Sequence, residues 1–502
     1  MKCMGQVILH GRLYRPMGLK GVRHRHEVVG HDILTTDERC TTFQFEFSFQ
    51  PVNRHYFHNP TYINKAEDEN MIDIQFIREN PELVAQKSKE KGYPVDLPRL
   101  LELDVRRRDI QTEAEQIRAQ RNDLAAATKG TRPAPEQVEQ GKMLKAKISD
   151  LEQQLEPVDA EYQQLLRAVP NMPLADVPVG ATEDENVVIK QAGERPVFDF
   201  NPKHDHELGE LHDLIDKERA AKIAGSRFVY LKGDLVRLQF AIIQFVMQTL
   251  TDEQIIRKLI EANGLNVSAK PFTPILPPAM LRTEPYAASA RLNAEEVTYK
   301  IEQDDLWLNA SAEHTLCTMY WNEVLPEAKL PIRYIGYSTS FRREAGTYGK
   351  DVEGIFRLHQ FDKLEMEVFS TAETGLDEHK LLIAIQEYLV QQLGLPYQLL
   401  LKCTADIGKP NARGVDINCW FPGQGKYRET HTADYMTDYQ ARDLKIRVRH
   451  ANNRIALVHT NDATAFALGR TLKALIENYQ TKDGRIIVPE VLRPYMGGQA
   501  EI

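Results

Sequence analysis

Apolar residues recur every three or four positions along two long segments near the start of the chain. In the first segment they stand seven residues apart, at Leu103, Ile110, Ile117 and Leu124. In the second, spacings of four and three alternate, which is typical of the a/d seam between packed helices. The positions are Leu144, Ile148, Leu151, Leu155, Val158, Tyr162, Leu165 and Val169. These periods predict two helices of about 30 residues, each about 45 Å long.

The segment between the two periodic stretches, residues 128–135, contains a glycine and two prolines, which favour a turn. The simplest arrangement is therefore an antiparallel helical hairpin, a coiled-coil arm, over about 97–170. Pro157 stands inside the second helix and predicts a kink or a joint there, because proline removes a backbone donor.

Two functions fit such a hairpin: dimerisation through the seam, or binding of RNA. Residues 97–170 carry 12 Lys and Arg against 13 Asp and Glu, so net charge does not decide between them. The basic cluster 106–108 and the tip residues Lys129 and Arg132 are available for phosphate, although a run of charges is most often a solvated helix face.

The rest of the chain predicts two further divisions. Residues 171–208 are rich in Pro, Asp and Glu, which favours a linker at 181–203 between an N-terminal domain, 71–180, and a larger domain, 204–502. In the larger domain strand-like and helical stretches alternate, which predicts an α+β fold with a mainly antiparallel sheet. No Walker or GxGxxG pattern appears, which argues against a parallel doubly wound nucleotide-binding fold.

Composition narrows the classes of protein that fit. The chain has 502 residues, 42% hydrophobic and 27% charged, as expected of a globular protein with two or three domains. No apolar run approaches the roughly 18 residues that span a bilayer, so we expect no membrane partner. The net charge of −9 means that any RNA contact uses a local basic patch. Five cysteines without CxxC spacing favour a reducing, cytoplasmic location.

Residues 1–70 differ from the remainder of the chain. All charged residues up to Arg25 are basic, yet the segment lacks the Ser-rich amphipathic character of a transit peptide. We favour an upstream extension that adds no fold, such as a start codon assigned too early. A new pattern opens at Met71, and Asn80 followed by Pro81 predicts a helix start.

The most specific pattern combines arginines and carboxylates on two predicted strands. Residues 341–346 read Phe-Arg-Arg-Glu-Ala-Gly, and residues 357–365 read Arg-Leu-His-Gln-Phe-Asp-Lys-Leu-Glu, with Gly349 and Gly354 between them. This arrangement resembles motif 2 of class II aminoacyl-tRNA synthetases, in the form found in seryl-tRNA synthetases. An ion pair between Arg342 and Glu344 is the alternative explanation.

The resemblance assigns roles to this motif. It implies that Arg342 contacts the α-phosphate of ATP, with Arg343 beside it, and that Glu344 also contacts ATP. It places Leu358 near the adenine and Glu365 on the substrate serine. A planar guanidinium suits a phosphate because it offers paired donors in a fixed geometry.

Two other segments resemble the remaining motifs of the class. Residues 469–472, Gly-Arg-Thr-Leu, resemble motif 3, which implies that Arg470 holds the γ-phosphate; Arg342 and Arg470 are thus the predicted catalytic residues. The predicted helix around 238–250 and the strand near 272–278 correspond to motif 1. In this class that motif builds the dimer interface, so the resemblance implies a homodimer. The tail at 488–498 also resembles the C-terminus of the family.

The resemblance further defines the amino-acid and metal sites. Ser311, Ala312 and Glu313 stand where the family has Thr-Ala-Glu. These residues, together with Arg342 and Thr464, are expected to bind serine, with Glu313 on the ammonium group. Residues 429–432, Glu-Thr-His-Thr, match a segment that holds ATP and Mg²⁺. The ATP-binding residues are then Glu429, Thr430, His431 and Thr432, and the metal ligands Glu429 and Thr432. For His431 a hydrogen-bonded core position is favoured over a catalytic role.

Several segments depart from the family pattern. Residues 458–465 read Val-His-Thr-Asn-Asp-Ala-Thr-Ala where His-Thr-Leu-Asn-Gly-Ser-Gly is usual, and 433–443 keep the Asp-aromatic-Gln-Ala-Arg core but lose a second arginine to Asp443. The usual Gly-Thr-Gly is absent near 282–290, and Asn418 replaces an acid. These changes surround the amino-acid pocket while the charged ATP contacts are kept, which indicates a divergent, active bacterial-type branch.

Together the matches, from Met71 to the end, imply a serine–tRNA ligase with a class II catalytic domain. It would form seryl-adenylate from L-serine, ATP and Mg²⁺, and load tRNA(Ser), gripped by the arm; tRNA(Sec) is an alternative second acceptor. One rival is a paralogue that loads another acceptor, such as a carrier protein. Another is a non-catalytic RNA-binding protein, which would be expected to have lost Arg342, Glu344, Glu429 or Arg470.

Overall fold

The computed structural model describes residues 74–128, 130, 133–292, 297–344 and 353–502. The predicted extension at 1–70 and the tip residues Lys129 and Arg132 lie outside these ranges. Within them the helices are α1 Ile74–Glu79, α2 Pro81–Glu90, α3 Leu97–Ala127, α4 Pro135–Ala168, α5 Asp205–Leu211, α6 Lys217–Ala224, α7 Gly233–Thr251, α8 Glu253–Asn263, α9 Thr283–Ala288, α10 Ala312–Leu316, α11 Ala372–Gln392, α12 Tyr439–Leu444 and α13 Leu468–Asn478. None of these helices has the length and apolarity needed to cross a membrane.

The strands form one large sheet and three small ones. They are β1 Val187–Ala192, β2 Ile215–Asp216, β3 Tyr230–Leu231, β4 Thr273–Ile275, β5 Met280–Leu281, β6 Lys300–Ile301, β7 Leu306–Leu308, β8 Val324–Pro326, β9 Ile332–Phe341, β10 Gln360–Ser370, β11 Tyr397–Leu401, β12 Arg413–Phe421, β13 Lys426–Thr437, β14 Arg447–Arg449, β15 Ile455–Leu457 and β16 His459–Ala467. The large sheet has eight strands in the order β1-β11-β12-β13-β16-β10-β9-β4.

The pairing within the large sheet confirms the predicted α+β class. Every neighbouring pair is antiparallel except β4 and β9, which run parallel. Helices α7, α11 and α13 supply apolar side chains to the main core formed with this sheet. The edge strand β1 lies inside the segment whose Pro, Asp and Glu content predicted a linker. Its side chains are half-buried or exposed, and it is held by pairing with β11 together with contacts of Ile189 and Ala192 with the main core.

The two long helices confirm the predicted hairpin. Their apolar seam is buried where they face each other, including Leu103, Ile117 and Ile148. Ion pairs between the two helices run in opposite order along them: Arg99, at the start of α3, pairs with Glu161 at 2.7 Å, and Arg118, further along α3, pairs with the earlier Glu152 of α4 at 2.8 Å. This order requires an antiparallel arrangement. Helix α4 runs through Pro157 as one element, so the proline does not divide the arm into two helices.

Two buried polar residues fasten the base of the arm to the larger domain. The Lys91 ammonium donates to the carbonyls of Asn171, Lys409 and Asn411 at 3.0, 3.2 and 2.7 Å. The Asn171 side chain donates to the carbonyls of Pro410 at 2.9 Å and Met436 at 2.6 Å. Because buried donors and acceptors are costly to leave unpaired, these bonds hold the arm base in one place against the end of β13.

The buried ion pair between Arg333 of β9 and Glu378 of α11 yields a stability prediction. Both side chains are almost fully buried and joined by two hydrogen bonds of 2.8 Å. Arg333→Met leaves Glu378 without its partner, so we expect the free energy of unfolding to fall by about 3–5 kcal/mol. Urea unfolding would measure the change. The exposed pair Arg257–Glu253 is the matched control, and Arg257→Met should change stability little. Equal losses in both variants would contradict the prediction.

Candidate active site

The floor of the site is one face of three neighbouring strands, β10, β16 and β13. Side chains alternate across a strand, so every second residue points to the same face. Thr464 of β16 is the Cα partner of Glu365 of β10, and Asp462 is the partner of both Glu367 on β10 and Asp434 on β13. Pairing thus collects four acids and a hydroxyl that are scattered over about 100 residues of sequence.

The helix behind the sheet holds two of these strands in place. The amide of Gln386, on α11, donates to the backbone carbonyls of Thr432 at 2.7 Å and Thr464 at 2.8 Å. One buried side chain therefore ties β13 to β16 at the level of the site.

A cavity of about 200 Å³ opens above this floor. Nine residues predicted from the sequence line it: Glu313, Arg342, Glu344, Leu358, Glu429, Thr430, Thr432, Thr464 and Arg470. Further lining residues include Arg291, Arg357, Lys363, Lys402, Asp434 and the rings of Phe356 and Phe361. The cavity is therefore bordered by cations and acids, as a site for a charged ligand requires.

Arg342 enters the cavity directly after the end of β9. Its backbone N–H donates to the His359 carbonyl at 2.9 Å, which joins it to the segment that leads into β10. Its Nε donates to the Ala310 carbonyl at 3.1 Å, and the guanidinium lies 5.3 Å from the centre of the Phe361 ring. These contacts hold the planar group while its other N–H donors remain available to a ligand.

Arg470 is placed by the first turn of α13. A side chain at the preceding Gly469 would come within 2.7 Å of the Ile355 carbonyl, so only glycine allows this close approach. Arg470 pairs with Glu429 at 2.8 Å, and its guanidinium lies 4.9 Å from the centre of the Phe356 ring. The Glu429 side chain is 51% exposed, and Arg470 and Lys402 lower its pKa to about 2. Glu429 is therefore ionised at neutral pH.

Glu365 forms the centre of a small polar pocket. Its Oε1 accepts from the hydroxyls of Ser311 and Thr464, each at 3.2 Å, and it is ion-paired with Lys363. Its other oxygen, Oε2, has no hydrogen-bond partner among the described residues, and the side chain is fully buried. Burial raises the pKa of Glu365 even though Lys363 lowers it. Such an oxygen is suited to a ligand that brings its own donor.

Some predicted residues lie away from the cavity lining. Arg343 is exposed, and its guanidinium lies 5.4 Å from the centre of the Tyr299 ring. Ala312 is fully buried at the start of α10. His431 is buried with its ring 5.2 Å from that of Phe466 and its Nδ1 2.7 Å from the Thr430 hydroxyl. Burial lowers the pKa of His431 to about 3, so the ring is neutral.

Glu344 pairs with a different arginine from Arg342, the partner in the alternative explanation of the motif 2 pattern. Its carboxylate pairs with Arg357 at 3.0 Å, across the gap between the two motif 2 strands. Arg342 is thus placed by the Ala310 carbonyl and the Phe361 ring.

Sequence reasoning missed several charged residues that the fold brings to the site: Arg291, Arg357, Lys363, Lys402 and Asp434. Lys363 could have been found, because it stands two residues before Glu365 on a predicted strand and so shares its face. Arg291 follows α9 in an irregular segment, where no periodicity shows direction. Lys402 passes over Gly414, where a Cβ would come within 2.8 Å of the lysine Cδ.

Comparison with known proteins decides the family. A model of the seryl-tRNA synthetase N-terminal domain matches residues 71–173, and a model of the class II tRNA synthetase core domain (G, H, P, S and T) matches 298–479. The serine–tRNA ligase of Nitrosopumilus maritimus is 37% identical over 438 residues, which are 86% of this chain and 100% of that protein. The chain belongs to the seryl-tRNA synthetase family. The serine–tRNA ligase of Exiguobacterium sp. AT1b is 38% identical over 439 residues, 86% of this chain and 99% of the relative.

Solved structures of seryl-tRNA synthetases agree with this assignment. The enzyme from Pyrococcus horikoshii, complexed with ATP, matches with a TM-score of 0.75 at 36% identity, covering 86% of this chain and 99% of that one. The cytoplasmic enzyme from Naegleria fowleri, in complex with AMP, matches with a TM-score of 0.72 at 26% identity and the same coverage. Charging of tRNA with serine is the function of this family.

The two cavity arginines give the prediction for this site. We expect Arg342→Ala and Arg470→Ala each to slow serine-dependent ATP–pyrophosphate exchange by about 100-fold or more, because each guanidinium is predicted from the sequence to make a charge-assisted contact with a phosphate of ATP. Arg343→Ala is the matched control, since its guanidinium lies on Tyr299 outside the cavity; we expect less than about a threefold change. Normal exchange by either cavity variant would refute the role of that arginine.

Proposed function

We propose that this chain activates L-serine with ATP and transfers the seryl group to the terminal adenosine of tRNA(Ser), with tRNA(Sec) as an alternative second acceptor. The observation that carries the proposal is Glu365, a buried carboxylate with one oxygen on the hydroxyls of Ser311 and Thr464 and the other unpaired. It lies under a cavity lined by the two arginines suited to hold ATP.

For the activation step, the serine carboxylate attacks the α-phosphate and pyrophosphate leaves. Arg342 would contact the α-phosphate and Arg470 the γ-phosphate. Glu344, Leu358, Glu429 and Thr430 line the same cavity and would contact the rest of the nucleotide. No protein nucleophile is needed, so the contribution of the protein is position and electrostatic stabilisation of the charged five-coordinate phosphorus.

A magnesium ion fits one part of this cavity. Glu429 and Thr432 offer a carboxylate and a hydroxyl on the same strand, and both line the cavity. Mg²⁺ prefers oxygen ligands and is usually held by one or two protein groups together with phosphates and water. We propose that these two residues hold it; the ion would neutralise phosphate charge.

The amino-acid pocket supports serine as the substrate. Glu365 would accept from the serine hydroxyl through its unpaired oxygen, and Glu313, at the cavity wall, would bind the ammonium group. A site built to pair with a hydroxyl disfavours analogues that lack it, because a buried polar group is then left unpaired. Ser311 keeps the hydroxyl that the family carries at this position, and it bonds both Glu313 and Glu365 at 3.2 Å.

The arm would bind tRNA(Ser), mainly through the shape and phosphates of the RNA. The domain that carries it, proposed to span 71–180, presents exposed basic side chains along the hairpin, among them Arg106, Arg121 and Lys145. Arg107 is already paired with Asp159, so only part of the basic cluster 106–108 is available.

We also propose a homodimer built by the motif 1 elements, α7 and β4. Phe240 on α7 is 54% exposed, and Leu276, directly after β4, is 77% exposed. A second copy covering this surface would remove both side chains from water. A cytoplasmic location stays a prediction, with which the free thiols of Cys317, Cys403 and Cys419 are consistent.

The deciding experiment charges total tRNA with labelled serine, beside threonine, alanine and glycine, with pyrophosphate exchange run in parallel. Serine on tRNA, with little of the other three, is the expected result. Exchange without charging would favour the paralogue that loads another acceptor. If none of the four amino acids supports pyrophosphate exchange, the result would favour the non-catalytic RNA-binding alternative and overturn the proposal.

A shortened arm separates its role from that of the catalytic domain. Deleting 111–154 and joining Ile110 to Leu155 by a short Gly-Ser turn keeps the pairs Arg99–Glu161 and Arg107–Asp159 at the base. We expect serine-dependent exchange to stay within about twofold and kcat/KM for tRNA to fall about 100-fold or more, as phosphate contacts are lost. Equal losses in both assays would contradict the division of labour.

A further inference from the structure

Three carboxylates lie side by side across the sheet next to the proposed serine pocket. Glu367 on β10 and Asp434 on β13 are the Cα partners of Asp462, which stands on β16 between them. All three side chains are buried. Such a row of acids is costly unless some are neutral or paired with a cation.

One cation reaches this row from outside the sheet. Arg291, three residues after α9, forms an ion pair through its Nη2 with Asp462, while its Nη1 lies 3.8 Å from the Glu313 carboxylate. Its side chain is only 14% exposed. The same guanidinium lies 3.7 Å from the sulfur of Met436 at the end of β13. Arg291 therefore stands between the central acid of the row and the acid of the cavity wall.

The charges of the cluster follow from these contacts. Burial raises the pKa of Glu367 well above its ordinary value, with further raising by Asp462, so Glu367 is neutral. Burial raises the pKa of Asp462 well above its ordinary value, while Arg291 lowers it. We take Asp462 as ionised because its carboxylate is in direct contact with a guanidinium, which is always protonated. Burial opposes ionisation of Glu313, but Arg291 and Lys363 hold its pKa well below the ordinary value. The charges of Arg291 and Asp462 cancel, and Glu313 keeps a net negative charge at the cavity wall.

We infer that Arg291 and Asp462 are a matched pair of positioning residues for the subsite that binds the substrate ammonium group. Arg291 holds Glu313 ionised and in place, and Asp462 cancels the positive charge that Arg291 would otherwise present to the ammonium. The inference rests on the proposed function, in which Glu313 binds that group.

The sequence supports treating the two residues as one unit. Asp462 stands at the position where the family segment His-Thr-Leu-Asn-Gly-Ser-Gly has a neutral asparagine. An acid there needs a counter-ion, and Arg291 supplies one from the region where the usual Gly-Thr-Gly is absent. The acid at position 462 and the arginine at position 291, which are far apart along the chain, thus compensate each other's charge.

The test uses Arg291→Gln, Asp462→Asn and the double variant in the full-length protein. Each single variant should raise the KM for serine in pyrophosphate exchange about 30-fold or more, as expected when a buried charge loses its partner. The KM for ATP should change less than about threefold. The double variant removes both charges, so its KM for serine should lie closer to wild type than that of either single variant.

A serine analogue without the ammonium group gives the second readout. L-glycerate keeps the carboxylate and the hydroxyl, so as an inhibitor it should bind the Asp462→Asn variant as tightly as wild type, or more tightly. A merely structural role would weaken serine and glycerate alike. Arg78→Gln, which breaks the pair with Asp104 between α1 and α3 in the N-terminal domain, is the control for loss of a partly buried ion pair and should leave the KM for serine unchanged.

The outcomes distinguish this inference from the proposed function. Wild-type protein without serine-dependent exchange would overturn the proposed function itself. Two results would overturn the pairing alone, provided that the wild type shows normal exchange. One is a KM for serine that is unchanged in the single variants. The other is a double variant whose KM for serine is higher than that of both single variants. If a single variant does not fold, Arg291→Lys and Asp462→Glu, which keep the charges, replace it. A raised KM for serine with a KM for ATP within about threefold of wild type then supports the inference, and an unchanged KM for serine with altered stability refutes it.

Discussion

The structure depends on how charge is balanced on one buried face of the large sheet. Strands β10, β13 and β16 place carboxylates there in adjacent rows. Lys363 of β10 supplies one counter-ion from the sheet itself, to Glu365. Other cations arrive from outside these strands: Arg291 after α9 pairs with Asp462, and Arg470 in the first turn of α13 pairs with Glu429. Each buried acid is paired or held neutral, as buried ionisable groups must be.

This balance would let one cavity hold both substrates of the proposed reaction. The proposed nucleotide side is dominated by the arginines, which suit phosphates. The proposed amino-acid side has the carboxylate of Glu313 in the cavity wall and that of Glu365 beside Ser311 and Thr464, which suit an ammonium and a hydroxyl. Aromatic rings of Phe356 and Phe361 lie against the guanidinium groups and limit their freedom. Groups held in place before the substrate binds lose little freedom when it does.

The arm is joined to this site through backbone groups rather than by a flexible tether. Lys91 and Asn171 bond carbonyls of the 409–411 loop and of Met436, and Met436 contacts Arg291 beside the amino-acid pocket. A continuous series of contacts therefore runs from the arm base to the pocket. The hairpin itself is stabilised by its apolar seam and by ion pairs such as Arg99–Glu161.

The elements that carry a strong local pattern of residues could be predicted from the sequence. The heptads of α3 and α4 and the two motif 2 strands carry a local pattern, so the arm and the α+β class could be predicted, and the resemblance to the family supplied nine of the cavity residues. Which charged side chains contact each other depends on the tertiary structure. Arg291 and Asp462 are far apart in sequence, Arg291 lies in a segment without periodicity, and the strand β1 has the composition of a linker. Long-range pairing leaves no local pattern, because it depends on strand register and on the path of the chain between elements.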